Sequence, residues 1–205
     1  MLDRTREWVK LADERLAGTE IKCFIQPGND DRYEIDDVLK TSRTVINPEG
    51  CVYWIDDHHE MISTGHANQT PWKCPRDITE EDLEERIEAM AVRVKNMSNC
   101  VFCMHCPPYD TPLDQAPKLD QEFKPQTDGG KLIMIPAGSR AVRNTIEKYQ
   151  PLLSLHGHIH ESKGSTKTGR TLSLNPGSEY GESILRGALV DLTENGIKDF
   201  LFTSG

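Results

Sequence analysis

Apolar residues near the start of the chain recur at helical spacing: Trp8, Leu11, Ala12 and Leu16 fall close to one face, and Gly18 offers a stop. The spacing predicts a helix over 3–17. Ile21-Lys22-Cys23-Phe24-Ile25 reads as a strand, cut off by Pro27-Gly28-Asn29-Asp30. A short helix is expected over 33–40 around Ile35, Val38 and Leu39, with Asp31 as its cap. Short strands follow at 44–46, 51–55 and 60–64, the last two joined by the polar Asp56-Asp57-His58-His59. Thr79-Glu80-Glu81-Asp82 has the form of a capping box and opens a long helix to about Lys95.

Val101-Phe102-Cys103-Met104 is a continuous apolar run, as in a strand covered on both faces. Residues 107–130, with five prolines and two glycines, are expected to form one long loop. Ser139 can cap a helix over 140–149, Leu152–Leu155 reads as a buried strand, and Gly157-His158-Ile159-His160 follows it directly. Thr171–Leu174 is another strand, closed by Asn175-Pro176-Gly177-Ser178. A hairpin is expected from 186–192 and 197–202 around Glu194-Asn195-Gly196. The pattern is that of an α/β chain, one domain over 1–205, with two sheets or one large mixed sheet.

Composition narrows the classes. At 205 residues, 36% hydrophobic and 28% charged, the chain can bury a sizeable core. Its 24 basic against 33 acidic residues leave a formal charge of −9, which repels polyanions and argues against general binding to nucleic acid or anionic membranes. No apolar run approaches the ~18–20 residues needed to span a bilayer. The charged Met1–Glu7 segment is unlike a signal peptide, and six cysteines are too few for a disulfide scaffold, so a cytoplasmic location is expected.

Three strand ends carry metal-capable groups: Asn29-Asp30, His105, and His158 with His160. Imidazoles with amide or carboxylate oxygens suit divalent Zn, Mn, Fe, Co or Ni. An i, i+2 histidine pair lets two rings serve neighbouring ions. Asn68 and Trp72, after the strand at 60–64, are candidates to line a substrate pocket, with Trp72 equally a packing anchor. Cys100 and Cys103 offer a Cys-x-x-Cys spacing, but strand alternation sends them to opposite faces, so buried hydrophobe is the expected role. His156 is expected in the core or behind the ligands, and Asp56–His59 in a solvated turn.

Taken in order, Gly28-Asn29-Asp30, His105 with Pro107-Pro108, Gly157-His158-Ile159-His160 and Asn175-Pro176-Gly177-Ser178 resemble the later motifs of calcineurin-like metallophosphoesterases. The resemblance runs from about Glu20 to the C-terminus. It implies an αββα sandwich with two divalent ions at one end. One ion would be held by Asn29, His105 and His158, and His160 would serve the other. It implies hydrolysis of a phosphomonoester or phosphodiester, a small substrate, by a metal-activated water.

Two departures qualify this. The family's opening Asp-x-His and Gly-Asp-x-x-Asp motifs are not in place. The expectation is therefore a chain that lacks the first βαβ segment, associates through uncovered edges as a homo-oligomer, and turns over little. Asp30 stands where the family commonly has a histidine that protonates the leaving group or steadies the phosphate. Asp30 takes that catalytic role only if burial keeps its carboxyl protonated. A non-catalytic metal-binding or protein-interaction remnant of the same fold is the alternative.

Overall fold

The computed structural model describes residues 1–205. Its first unit is built from α1 (Leu2–Leu16), β1 (Cys23–Phe24), α2 (Glu34–Leu39) and β2 (Val45–Ile46). β1 and β2 pair in parallel around a cluster of Val9, Ile35, Val38, Leu39 and Val45. The face of α1 differs from the expected one. Leu2, Thr5, Val9 and Ala12 turn inward, while Trp8 and Leu11 are 58% and 50% exposed. The Thr5 hydroxyl tolerates this because it donates to the Met1 carbonyl one turn back. Asp13 ties the helix to the following loop: its carboxylate accepts from the Ser42 and Thr44 hydroxyls and the Arg43 and Thr44 amides, which holds its pKa at about 2. Asp31 does not cap α2. It reaches back to accept from the Gly28 amide at 2.8 Å, and α2 starts at Tyr33 without a side-chain cap.

β3 (Val52–Trp54) and β4 (Glu60–Thr64) form the expected hairpin. β5 (Ala67–Asn68) and β6 (Asp77–Ile78) make a short parallel pair, and α3 (Glu80–Ala91) begins at Thr79, whose hydroxyl accepts from the Asp82 amide. After β7 (Val101–Met104) the expected loop contains pairing of its own: β8 (Gln115–Pro117), β9 (Thr127–Asp128), β10 (Lys131–Leu132) and β11 (Met134–Pro136). Gly129 and Gly130, both at positive φ, close the β9–β10 turn, and β8 pairs with β11.

α4 (Arg140–Tyr149) is capped by Ser139 as expected. β12 (Leu153–Leu155), β13 (Gly164–Thr168) and β14 (Thr171–Asn175) follow, then the long hairpin of β15 (Arg186–Thr193) and β16 (Gly196–Ser204). The main sheet has six strands in the order β13-β14-β12-β7-β4-β3. Its four inner strands run parallel and its outer two antiparallel.

Helices α3 and α4 cover one face of this sheet over Ile62, Leu83, Ile87, Phe102, Val142 and Ile146. The other face, with Met61, Val101, Leu153, Leu172 and Leu174, lies under Ala188, Val190, Phe200 and Phe202 of the β15–β16 hairpin, and under Phe24 of β1. The chain is thus a mixed α/β structure around a central mixed sheet. Because β4, β7, β12 and β14 are parallel, their C-terminal ends open at one edge. No helix is long and apolar enough to cross a membrane.

Candidate metal centre

Three side chains meet where those strand ends face the end of β1. Asn29 Oδ1 lies 3.0 Å from His105 Nε2 and 3.1 Å from His158 Nδ1, and the two ring nitrogens are 3.2 Å apart. Protons cannot satisfy all three edges. The amide oxygen only accepts, so two N–H groups aimed at it leave the nitrogen–nitrogen edge without a bond. Removing either proton sets a lone pair against the oxygen. A cation at the centre engages all three lone pairs together. Ligands ~2.0–2.2 Å from one ion lie roughly 2.8–3.6 Å apart at angles between 90° and tetrahedral, and the triangle has that size. No three His, Cys, Asp or Glu side chains gather to hold an ion anywhere in the chain; here the third donor is an amide oxygen.

Each member of the triangle is held from behind. Asn29 Nδ2 donates to Asp77 Oδ1 at 2.9 Å, which fixes the amide so that its oxygen faces the imidazoles. Asp77 also accepts from the Thr70 amide and hydroxyl and the Cys74 amide. Burial by itself would raise Asp77, but the bonds from Thr70 and Asn29 outweigh it and the carboxyl is held below its usual range. The Asn29 carbonyl accepts from the Arg76 amide. The buried Arg76 guanidinium donates to the Asp31 and Arg32 carbonyls and pairs with Asp36, so it clamps the whole turn after β1.

His105 depends on Gly28: a Cβ there would stand 2.8 Å from the ring carbon Cε1 of His105. His156 braces the same strand end. Its Nδ1 lies 3.1 Å from the Met104 carbonyl and 3.0 Å from that of Cys106, so Nδ1 carries the proton and Nε2 accepts from the Ser154 hydroxyl. Asn175 performs the equivalent task for His158, donating to the Gly157 and Ile159 carbonyls on either side of it. His158 itself sits at φ +62, a left-handed conformation that few non-glycine residues adopt.

Burial, then the neighbouring His158 and His160 rings, pushes His105 down to about 3. Burial chiefly lowers His158 to about 4 and His156 to about 4. All three are neutral imidazoles at ordinary pH, the form that donates a lone pair to a metal.

The remaining sequence candidates are dispersed. His160 is exposed, with its ring edge-on to Tyr180 at 5.5 Å, and makes no hydrogen bond to the triangle. Asp30 is exposed, so the burial that an acid role demands is missing. Its carboxylate approaches Cys74, whose thiol is raised by burial, against a hydrogen bond from Thr70, with Asp77 and Asp30 adding to the rise. Asn68 is engaged in packing: it accepts from Cys106 Sγ at 2.9 Å and donates to the Gly138 carbonyl at 3.4 Å. Trp72 is exposed and stacks on Phe123.

Asp56 caps the β3–β4 turn, but His59 is buried there with Nε2 unpartnered, so that turn is not wholly solvated. All six cysteines are free, and Cys100 and Cys103 pack on opposite faces of the sheet, as alternation requires. Sequence reasoning missed Asp77 and Arg76. Their contacts with the turn after β1 join residues 40 to 48 positions apart, and no local pattern announces them.

No protein-family model matches the chain. It is 31% identical over 159 residues to the uncharacterized protein MJ1162 of Methanocaldococcus jannaschii, an alignment covering 77% of this chain. The chain spans 63% of that relative's length, less than two thirds of it. The crystal structure of TT1561 of Thermus thermophilus superposes with a TM-score of 0.62 at 15% identity, over 100% of this chain and 79% of that one. A second solved structure gives a TM-score of 0.65 at 17% identity, over 99% of this chain and 68% of that one. At such identities the two structures establish likeness of fold alone.

Proposed function

We propose that this chain carries a metal-dependent phosphoesterase site, with Asn29, His105 and His158 as ligands of one divalent ion. The observation that carries the reading is the triangle of three lone-pair donors with 3.0–3.2 Å edges, which hydrogen bonds alone leave incomplete. Two more features support it. The helix pair, the six-stranded sheet and the hairpin stacked on it form successive α, β and β layers, which supports the reading of an αββα metallophosphoesterase-type sandwich. The four motifs that resemble calcineurin-like enzymes supply the triangle and the Asn175 brace behind it.

A divalent ion bound there supplies Lewis-acid charge to phosphoryl oxygens and lowers the pKa of a water. The chain's own contribution is preorganisation. The imidazoles are already neutral, Asp77 keeps the Asn29 oxygen aimed, and His156 and Asn175 hold the backbone on either side of the histidines. We assign no step to Asp30.

His158→Ala is expected to abolish both metal uptake, measured by elemental analysis after Mn²⁺ loading, and hydrolysis of an aryl phosphodiester. Cys103→Ala, at a thiol that burial raises to about 11, is expected to cost ~1–2 kcal/mol of stability and to leave both readouts intact. Equal loss by the two variants in folded protein would defeat the assignment. A second reading, metal binding without turnover, draws on His160: the assembled donors serve one ion, and His160 is exposed, edge-on to Tyr180, and adds nothing to the triangle. One bound ion per chain with no hydrolysis decides for that reading.

A further inference from the structure

Residues 115–136 form a ribbon with little packed against it. β8 and β9 both pair antiparallel with one strand, 131–136, made of β10, Ile133 and β11. The side chains of β9 and β10 are all exposed, as are Met134 and Ile135 of β11. Leu132-Ile133-Met134-Ile135 is nonetheless wholly apolar, with Leu132 51%, Met134 40% and Ile135 38% exposed.

Backbone geometry shows which edge of that strand is free. The Ile133 amide donates to the Gln126 carbonyl, and the Ile133 carbonyl accepts from the Lys118 amide. Both neighbours therefore lie on one side, because the N–H and C=O of a strand residue point the same way. The amides and carbonyls of Leu132 and Met134 point the other way, and no third strand meets them. The 119–125 excursion joins β8 to β9 and stays on the paired side. A free edge is a template for another strand, and proteins blunt it with charge, proline or a bulge. Lys131 and Pro136 mark the ends of this one, and its middle has no such guard.

We propose that this edge pairs with the same edge of a second copy, antiparallel about a two-fold axis through Ile133. The register follows from the free groups. With the axis at Ile133, Leu132 of one copy faces Met134 of the other, and every free amide and carbonyl of these residues finds a partner. An axis at Met134 sets Leu132 against Pro136, which has no N–H to offer its carbonyl. An axis at Leu132 sets Met134 against Gly130, which belongs to the β9–β10 turn at positive φ. Charge also fits a second copy. Lys118, Lys124 and Lys131 balance Asp120, Glu122 and Asp128, so the ribbon is neutral in a chain of formal charge −9. Lys131 falls opposite Ile135 and not opposite another lysine. Two copies meeting here join apolar side chains without opposing like charges. The inference is independent of the phosphoesterase reading.

A pair of short strands buries less than the ~1,200 Å² of a standard interface, so the dimer belongs to the weak class. Sedimentation equilibrium of the full chain is expected to show monomer at ~1 µM and mostly dimer by ~300 µM. Met134→Pro removes an outward-facing amide and keeps the bonds of Ile133 within the ribbon. Each copy then loses one bond across the axis, and dimerisation should weaken at least ~10-fold. Ile133→Glu and Ile133→Lys each set like charges together at the axis, and each alone should weaken dimerisation by a similar factor. An equimolar mixture of those two should associate at least ~5-fold more tightly than either alone, since only the mixed pair opposes unlike charges. Leu201→Glu, at an exposed position of the β15–β16 hairpin, should leave the dimer unchanged. Monomer across the whole concentration range, Glu and Lys variants that fail to rescue one another, or loss of the dimer in Leu201→Glu overturns the proposal.

Discussion

At the scale of single residues, the centre depends on groups that never touch its middle. Asp77 is one. Without it nothing fixes the Asn29 amide, and half of its orientations present an NH₂ group to the imidazoles. Asp77→Ala is expected to weaken metal binding ~10–100-fold with little change in the fold, read by competition against a chromophoric chelator. Gly28 is another, because a Cβ 2.8 Å from the His105 ring displaces that ring. Gly28→Ala should lose metal affinity by a similar factor. Gly157→Ala should stay within ~3-fold, since a Cβ at Gly157 meets nothing within 4 Å. Equal sensitivity of the two glycines would show that His105 has room to move. The two histidines of the triangle were legible in the chain because they follow the apolar runs of β7 and β12 within three residues, and Asn29 because it sits in the Pro27–Asp30 turn after β1. Asp77 was not, since its partner Asn29 is 48 residues away and an aspartate before a helix has many ordinary uses.

At the scale of elements, the strands and helices with strong local signals stand where the pattern puts them. Thr79 and Ser139 cap α3 and α4, and the apolar runs form β7 and β12. The errors arise where contacts distant in the chain decide. On α1, Trp8 and Leu11 look like core but stay outside, because the inward face is chosen by contact with Ile35, Val38 and Val45. β13 escapes the hydrophobic pattern because Gly164-Ser165-Thr166-Lys167-Thr168 is polar; it is an edge strand that buries little and gains its order from pairing with β14. Contacts between elements were equally hidden. Glu80, the first residue of α3, accepts from the Ser139 hydroxyl and from the Arg140 and Ala141 amides, and so supplements the cap of α4. A carboxylate at a helix N-terminus also favours the helix dipole. Glu80→Ala should cost ~1–2 kcal/mol in urea unfolding, while Glu81→Ala, at an exposed neighbour, should change stability by less than ~0.5 kcal/mol.

At the scale of the whole molecule, the triangle joins two units. Asn29 arrives on the β1–β2 unit and the histidines on the main sheet, and Phe24 docks the one on the other. The centre therefore exists only when the units are packed, and packing is also what buries His105, His156 and His158. This makes stability pH-dependent with a definite sign. Folding lowers the three groups from the ordinary 6.5 to about 3, 4 and 4, so below pH 6.5 the unfolded chain binds protons that the native one refuses. Their contribution is fully present above pH 6.5 and is lost as the pH falls through 4 toward 3. Near pH 5 the unfolded chain holds up to about three more protons at these sites. The slope approaches ~4 kcal/mol per pH unit, from 1.36 kcal/mol for each proton. Chemical denaturation of metal-free protein between pH 7.5 and 4.5 measures it directly. Added Mn²⁺ or Zn²⁺ at 100 times its Kd should add about 2.7 kcal/mol from neutral pH down to about pH 5, because the folded imidazoles stay neutral over that range and protons taken up by the unfolded chain do not compete for the native site. A flat stability between pH 7 and 5 would mean that the three imidazoles are solvated in the folded protein, and the triangle with them.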